Sequence, residues 1–305
     1  MRVRERETEW SETGRRRVDL GARRPTLPLD LREALFGPFH HTAALALLAA
    51  HAIPGAEEVD GTLYRRVLTV GDEQTVVTLD LNRHGITASF DPPGGDSETA
   101  TALVRAWFDL GTDTTTIDTA LAQDPHLAEL VKRRPGLRLI GYPDEFEAVA
   151  ATVIGQQVSL AAARTFAGRL VTAYGHKTGD LHTFPHAPAL AQCDANEIQQ
   201  RTGLTHARAR TLHEVAVRWA NGPVLEGLPA DEARRTLLAV PGIGPWTADY
   251  LLVRAMQHPD TFAPGDLVAR RALGLDHKAA AERSTAWAPY RSYALLHLWT
   301  GAAYL

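Results

Sequence analysis

Two hydrophobic patterns divide the chain into an N-terminal part of mixed character and a longer helical part. Alanine and leucine dominate residues 42–52, which predicts a buried helix that ends at Ile53-Pro54-Gly55. β-Branched residues then recur as they do in strands, and turn signals at 71–72 and 82–85 separate the segments. The predicted strands are 62–70, 74–81 and 85–90. This pattern indicates a small antiparallel sheet with a helix as cover.

The chain becomes almost wholly helical after a linker rich in proline and glycine at 91–96. Apolar residues there recur with a period near 3.6 residues, and proline or glycine marks the gaps. The predicted helices are 98–109, 117–121, 145–154, 160–174, 206–221, 231–239, 246–256, 267–273, 278–287 and 290–302. The sequence therefore predicts an α+β protein with a mixed N-terminal domain at 26–95 and a helical region at 96–305.

Residues 1–25 precede these domains and show no apolar period. Eight arginines lie in this segment, interleaved with glutamates. An arginine-rich arm can attract DNA, but the glutamates dilute the charge. We therefore expect a solvated tail or linker remnant, and its charged start is unlike a secretory signal.

Composition narrows the class of protein. The chain has 305 residues, of which 45% are hydrophobic and 22% charged, as in soluble globular proteins. Its single cysteine, Cys193, excludes an intrachain disulfide, a four-cysteine zinc site and a four-thiolate iron–sulfur cluster, and it suits a reducing cytoplasm. No apolar run reaches the ~18 residues of a membrane span. The net charge of −4 excludes a uniformly basic nucleic-acid binder but permits a local basic face.

A turn containing two glycines joins two predicted helices in the C-terminal half. Gly242 and Gly244 flank Ile243, so the backbone can turn sharply while the isoleucine enters the core. Amides at the start of the following helix can bind a phosphate, and carbonyls near Val240 and Gly242 can hold a monovalent cation. A plain helix–helix turn is the alternative. A dinucleotide-binding fingerprint is disfavoured because no strand precedes the turn and Thr247 replaces the third glycine.

About twenty residues further along, a Pro264-Gly265 turn places Asp266 just ahead of the helix predicted at 267–273. Aspartate is a favourable helix N-cap, and capping alone would explain this residue. Its order and spacing relative to the glycine turn are nevertheless those of a known superfamily, which gives Asp266 a candidate chemical role.

The chain resembles the helix-hairpin-helix DNA glycosylases, most closely the bacterial DNA-3-methyladenine glycosylases II. The resemblance covers residue 28 to the C-terminus and rests on 237–273, PGLRLIGYPDEFEAVAATVIGQQVSLAAA (135–163), PGIGPWTADY (241–250) and WAPYRSYALLHLW (287–299). It implies two helical subdomains with a cleft between them, beside a small N-terminal sheet domain. It also implies an enzyme of base excision repair that flips out alkylated purines, of the 3-methyladenine and 7-methylguanine type, from duplex DNA and hydrolyses them off. A monomer without a cofactor, in the cytoplasm near the nucleoid, is expected.

The resemblance assigns chemistry to particular residues. Asp266 becomes the catalytic carboxylate, which stabilises positive charge on the sugar. The sequence leaves open whether it also acts as a general base toward water. Trp246, Tyr250 and Trp299 match base-pocket positions, with core packing as the alternative. Strand-nicking members carry a Schiff-base lysine where this chain has Trp246, and no lysine occurs at 178–277. The resemblance therefore implies a glycosylase without lyase activity.

The expected DNA contacts surround the hairpin. Gln157 stands at the family's wedge position, where another member has leucine, and either fills the gap in the duplex or is an ordinary polar loop residue. Gly265 replaces an acidic residue of that relative. Arg270 and Arg271 follow Asp266 by about one helical turn and either hold a phosphate or lie in solvent. The residues expected to bind DNA are Gly242, Ile243, Gly244, Gln157, Arg270 and Arg271.

Two other functions stay open at this stage. One is an oxidised-base glycosylase of the same fold, against which the missing hairpin lysine argues. The other is a non-catalytic hairpin module that binds DNA, against which the complete set of pocket residues argues. The sequence ranks no lesion above another and leaves open whether the arginine-rich start belongs to a larger fused repair protein.

Overall fold

The computed structural model describes residues 29–32, 35–70, 73–91 and 97–304. The predicted tail at 1–25, the turn at 71–72 and residues 92–96 of the linker lie outside the described residues. Within the described ranges no helix is both long and apolar enough to cross a membrane.

The N-terminal elements form the predicted antiparallel sheet. Its strands are β1 (Leu29–Asp30), β2 (Glu57–Asp60), β3 (Leu63–Val70), β4 (Glu73–Asn82) and β5 (Gly85–Asp91). They lie in the order β1-β5-β4-β3-β2, and every pair is antiparallel. The two edge strands were not predicted, because two and four residues are too few to show an alternating pattern.

One face of this sheet is buried under the first two helices. Val77, Leu79 and Leu81 alternate along β4 and are all fully buried. They share a core with the leucines of α1 (His41–His51) and with Trp107 at the end of α2 (Ser97–Trp107). The domain boundary at residues 95 and 96 stays a prediction.

All ten helical segments predicted after the linker are present. The helices are α3 (Thr114–Leu121), α4 (Pro125–Arg133), α5 (Glu145–Gly155), α6 (Leu160–Tyr174), α7 (Ala187–Ala191), α8 (Ala195–Thr202), α9 (His206–Trp219), α10 (Ala230–Leu238), α11 (Pro245–Arg254), α12 (Leu267–Leu273), α13 (His277–Ser284) and α14 (Arg291–Trp299). A 3-10 turn (Thr285–Trp287) extends α13, and a π-helical turn (Thr300–Tyr304) extends α14. A short hairpin of β6 (Lys177–Thr178) and β7 (Leu181–His182) follows α6.

The helices surround two hydrophobic cores, and α11 contributes to both. Its Ala248 and Leu251 belong to the core formed with α5, α6 and α9. Its Val253 belongs to the core formed with α4, α12 and α14, and its Tyr250 packs against that same core. Helix α11 therefore lies between the two hydrophobic cores and packs against both.

A buried ion cluster joins the sheet to α5. The Arg66 guanidinium donates to Glu57 Oε1 at 3.0 Å and to Glu147 Oε2 at 2.5 Å. The Tyr64 hydroxyl also donates to Glu57, at 2.7 Å, and the guanidinium lies 5.4 Å from the Trp107 ring centroid. Because Glu147 belongs to α5, this cluster fixes the helix whose C-terminal end approaches the glycine hairpin.

Candidate active site

Asp266 is the N-cap residue of α12, and three hydrogen bonds hold its carboxylate. Its Oδ1 accepts from the Ala269 amide at 2.8 Å, which is the ordinary N-cap contact expected from the sequence. Oδ1 also accepts from Trp299 Nε1 at 3.1 Å, and Oδ2 accepts from Trp246 Nε1 at 2.8 Å. The residue is only 5% exposed. The carboxylate therefore does more than cap α12, since two indoles from other helices also orient it.

The three predicted aromatic residues form one continuous wall beside that carboxylate. The Trp246 and Tyr250 rings are stacked, with centroids 5.3 Å apart, because they lie one turn apart on α11. The Tyr250 and Trp299 centroids are 5.6 Å apart in a tilted arrangement. Trp299 is 6% exposed whereas Trp246 is 38% exposed, which places Trp246 at the open side of the wall.

A cavity of about 380 Å³ opens against this wall. Asp266 and the three aromatic residues line it, which brings the predicted catalytic and pocket residues together in one place. This volume is within the ordinary range of a small-molecule pocket. The other lining residues are His51, Tyr142, Ala151, Thr152, Gly155, Val158, Leu160, Ala163 and Val268.

Sequence reasoning assigned no role to the polar members of this second set. Tyr142 and Thr152 lie inside the 135–163 stretch that carries the family resemblance, so that stretch contained a signal for them. His51 ends α1 in the N-terminal domain, and no motif or periodicity distinguished it from any other helix-terminal histidine. Only the three-dimensional packing of α1 against the helical region brings it to the cavity.

The glycine hairpin joins α10 to α11 in the predicted way. Ile243 is buried in the first helical core, and Gly242 has a φ of +93°, a conformation that favours glycine. Pro245 opens α11, and no side chain of the described residues caps the start of that helix. Within that part of the chain the first amides of α11 therefore have no side-chain partner, as a phosphate-binding helix start requires.

The two hairpin carbonyls predicted to hold a monovalent cation each accept one hydrogen bond. The Val240 carbonyl accepts from the Ile243 amide at 3.0 Å, and the Gly242 carbonyl accepts from Gln156 Nε2 at 3.0 Å. Each oxygen has two lone pairs, so one on each is compatible with a cation. Among the described residues, no group of three or more His, Cys, Asp or Glu side chains could hold a metal ion. A monovalent cation at the hairpin stays a prediction.

Replacing Gly242 by alanine should weaken the hairpin. A Cβ there would lie 2.1 Å from Thr211 Oγ1, which donates to the Pro241 carbonyl, and it would also sit at positive φ. We expect the free energy of unfolding to fall by about 1–3 kcal/mol and the affinity for DNA to fall with it. The matched control is Gly244→Ala, because a Cβ at Gly244 meets nothing within 4 Å. Urea unfolding of the two variants checks this prediction, and equal losses of stability would contradict this reading of the hairpin.

The predicted wedge residue lies on the same surface as the hairpin. Gln156 ties the end of α5 to the hairpin through the Gly242 carbonyl and through Thr247 Oγ1, at 3.2 Å. The next residue, Gln157, is exposed and has a φ of +55°, an uncommon conformation for a residue other than glycine. The side chain proposed to enter the duplex therefore projects from a loop that the hairpin itself holds in place.

The predicted pair of arginines lies on α12, the helix that Asp266 caps. Arg270 is half-buried and Arg271 is exposed, both in the second half of α12. Neither residue lines the cavity, and among the described contacts neither makes an ion pair with Asp266. The exposed position of Arg271 is compatible with a phosphate contact, and a phosphate contact by either arginine stays a prediction.

Comparisons with known proteins match both halves of the chain. Residues 28–144 match the family model of the AlkA N-terminal domain, and residues 150–286 match that of the HhH-GPD superfamily base excision DNA repair proteins. The DNA-3-methyladenine glycosylase 2 of Escherichia coli is 33% identical over 274 residues, which cover 86% of this chain and 94% of the relative.

Two further likenesses extend the comparison. A probable bifunctional transcriptional activator/DNA repair enzyme AlkA of Mycobacterium tuberculosis is 37% identical over 89% of this chain. The matched region covers 57% of that relative's length, so this chain spans little more than half of it. The solved 3-methyladenine DNA-glycosylase of Archaeoglobus fulgidus superposes with a TM-score of 0.74 at 20% identity, covering 87% of this chain and 97% of that one. The α+β fold and the family predicted from the sequence are confirmed. The chain belongs to the DNA-3-methyladenine glycosylase 2 family, within the HhH-GPD superfamily of base excision DNA repair proteins.

Proposed function

We propose that this protein is a DNA glycosylase that flips alkylated purines, of the 3-methyladenine and 7-methylguanine type, out of duplex DNA and removes them by hydrolysis. One observation carries this proposal. A carboxylate held by two tryptophan N–H groups lies on the wall of an aromatic cavity, beside a helix start suited to bind a phosphate. Release of 7-methylguanine from methylated duplex DNA tests it, and an intact protein that releases no alkylated base would refute it.

Asp266 supplies the charge that the reaction needs. When the N-glycosidic bond breaks, positive charge develops on the deoxyribose, and a nearby carboxylate stabilises it. Oδ1 accepts two hydrogen bonds, whereas Oδ2 accepts one among the described residues. Oδ2 therefore retains more capacity to accept a hydrogen bond from the attacking water. The two indoles fix the carboxylate before substrate arrives, so little reorganisation is needed during the reaction.

The aromatic wall supplies affinity for a cationic base. A purine alkylated on a ring nitrogen carries a formal positive charge, and each good contact with an aromatic face is worth about 0.5–2 kcal/mol. Trp246, Tyr250 and Trp299 present such faces beside Asp266. The same positive charge makes the base a good leaving group, so the reaction needs no second acid to protonate it.

The hairpin and the Gln157 loop bind the duplex. Amides at the start of α11 can hold a backbone phosphate next to the lesion without side-chain charge. Gln157 projects from the adjacent loop, where it can fill the gap that the extruded base leaves and hydrogen-bond to the orphan partner. Extrusion costs a few kcal/mol and is cheapest for a base that already stacks or pairs poorly.

The proposed enzyme leaves an intact abasic site. Formation of a Schiff base needs an amine in the pocket, and none of the described residues that line the cavity is a lysine. We expect borohydride to trap no covalent adduct on duplexes containing 7-methylguanine or 8-oxoguanine, and we expect strand breaks only after alkali. A trapped adduct, with a lysine-bearing glycosylase/lyase as positive control, would favour the oxidised-base alternative instead.

A further inference from the structure

Four residues, 156–159, join α5 to α6 and contact both the glycine hairpin and the base cavity. We call this segment the wedge loop. Gln156 is half-buried and bonds to the hairpin, whereas Gln157 is exposed. Val158 is half-buried and lines the cavity that contains Asp266. The backbone of this loop therefore determines where Gln157 lies relative to the hairpin and to the cavity.

Helix α9 donates hydrogen bonds both to the wedge loop and to the hairpin. The Arg208 guanidinium donates to the Gln156 carbonyl at 2.5 Å. Three residues further along α9, Thr211 Oγ1 donates to the Pro241 carbonyl at 3.0 Å. Gln156 Nε2 donates to the Gly242 carbonyl at 3.0 Å, which joins the loop directly to the hairpin. Helix α9, the wedge loop and the hairpin are thus connected in pairs.

The carbonyl that Arg208 contacts belongs to the peptide group that leads into Gln157. The atoms of a peptide group lie in one plane, so a contact that holds the Gln156 oxygen also holds the Gln157 nitrogen. Gln156 has a ψ of +130°, which turns its carbonyl out of the direction that helical carbonyls follow. Gln157 then has a φ of +55°, which a residue other than glycine keeps only where its surroundings hold it. Arg208 therefore stabilises the peptide plane from which this uncommon conformation starts.

We propose that Arg208 is a positioning residue that holds the wedge loop in the conformation from which Gln157 enters the duplex. This inference rests on the proposed function and adds to it a residue that acts on base extrusion, through Gln157. Arg208 is not among the described residues that line the base cavity, so it has no direct part in bond cleavage. A wedge that is already ordered fills the gap in the duplex without a further loss of conformational freedom.

The contribution of Arg208 should depend on how firmly the lesion is paired. Extrusion is least costly for a base that is mismatched or already unpaired. A preordered wedge therefore assists most where the lesion must leave a base pair, and little where the lesion has no partner. The chemical step, in which Asp266 takes part, is the same in both cases.

The test compares release of 7-methylguanine from two duplexes, with saturating enzyme under single-turnover conditions. The lesion pairs with cytosine in one duplex and faces a tetrahydrofuran abasic residue in the other. Arg208→Met removes the donors and keeps most of the aliphatic stem. We expect its release from the paired duplex to fall at least about tenfold, the effect of losing one hydrogen bond from a charged group. Release from the unpaired duplex should stay close to that of the wild type.

A control and a second variant complete the single substitutions. Arg201→Met is the matched control, because Arg201 lies on the surface of α8 and pairs with Glu197 at 2.9 Å. It should change neither rate. Release from the unpaired duplex also shows that Arg208→Met is folded. If the methionine variant does not fold, Arg208→Ala carries the same expectation, since it removes the same donors without adding bulk.

A double-mutant cycle tests whether Arg208 acts through Gln157. Gln157→Ala should lower release from the paired duplex and leave release from the unpaired duplex almost unchanged. Adding Arg208→Met to Gln157→Ala should then cause little further loss, because the two residues contribute to one event. Losses that multiply in the double variant would show that Arg208 acts independently of the wedge.

The outcomes separate this inference from the proposed function. Equal losses on the two duplexes, or no loss, in a folded Arg208→Met variant would overturn the role of Arg208. So would an equally large loss of affinity for undamaged duplex, which would indicate a phosphate contact instead. Each of these results would leave the proposed function intact. A folded wild-type protein that released 7-methylguanine from neither duplex would refute the proposed function itself.

Discussion

Replacing Asp266 by asparagine should lower single-turnover release of 7-methylguanine by about 10³-fold, the effect of removing one preorganised electrostatic group. Asparagine has nearly the same shape and its carbonyl can still cap α12 at the Ala269 amide. It lacks the negative charge that stabilises the developing cation on the sugar. Binding to DNA with an abasic analogue should stay close to that of the wild type, because the hairpin and Gln157 are unchanged.

The chain provides a matched control for this substitution. Asp276 caps α13 through the Ala279 amide at 2.8 Å, the same contact that Asp266 makes with α12, but it lies on the surface. Asp276→Asn should therefore leave base release unchanged. A variant of Asp266 that kept release within about tenfold of wild type, against the ~10³-fold expected of such a group, would show that this carboxylate only caps its helix.

The second large effect is expected on stability, in Arg66→Leu. The substitution leaves Glu57 and Glu147 in the protein interior without their counter-charge, since Arg66 bonds to both. Breaking one partner of a buried ion pair costs about 3–5 kcal/mol of unfolding free energy. Arg235→Leu is the control, because the Arg235–Asp231 pair is 70% and 74% exposed and should contribute almost nothing. Urea unfolding of both variants measures the difference, and similar losses would contradict a structural role for the cluster.

The stability loss in Arg66→Leu should also depend on pH. Burial raises the pKa of Glu147, and Arg66 opposes that rise. A carboxyl group whose pKa is raised on folding binds more protons in the folded state, so stability falls as pH rises from its unfolded pKa to its folded pKa. Without Arg66 this penalty grows, so the variant should lose more stability at pH 8 than at pH 5.5. A loss that was larger at the acidic pH would contradict this account of the cluster.

Much of the fold was predictable because its longer elements carry clear periodicity. Buried residues alternate along β4 from Val77 to Leu81, and α6 and α12 begin and end at the residues that the pattern predicts. Helix α8 was missed because only two of its residues, Ile198 and Thr202, are buried. Helix α4 was missed although Asp124 and Pro125 form a recognisable helix start with a capping carboxylate.

Sequence motifs predicted which residues form part of the site, but not the contacts between them. Asp266 and its aromatic neighbours follow from the family resemblance, whereas their mutual hydrogen bonds join residues 20 and 33 positions apart, which no local pattern encodes. His51 lies farther still from Asp266 in the chain, and only the packing of the N-terminal domain brings the two to one cavity. The role of Gln156 in tying the wedge loop to the hairpin is likewise a tertiary contact.

The most direct test of the carboxylate's role compares the affinity of the protein for two abasic-site analogues of the same size. A pyrrolidine analogue carries a positive charge where the sugar cation forms, and a tetrahydrofuran analogue carries none. Because a catalyst binds the transition state more tightly than the ground state, the wild type should prefer the charged analogue by at least about 100-fold. Asp266→Asn should remove that preference. Equal wild-type affinity for the two analogues, or a preference that survives in Asp266→Asn, would contradict the account.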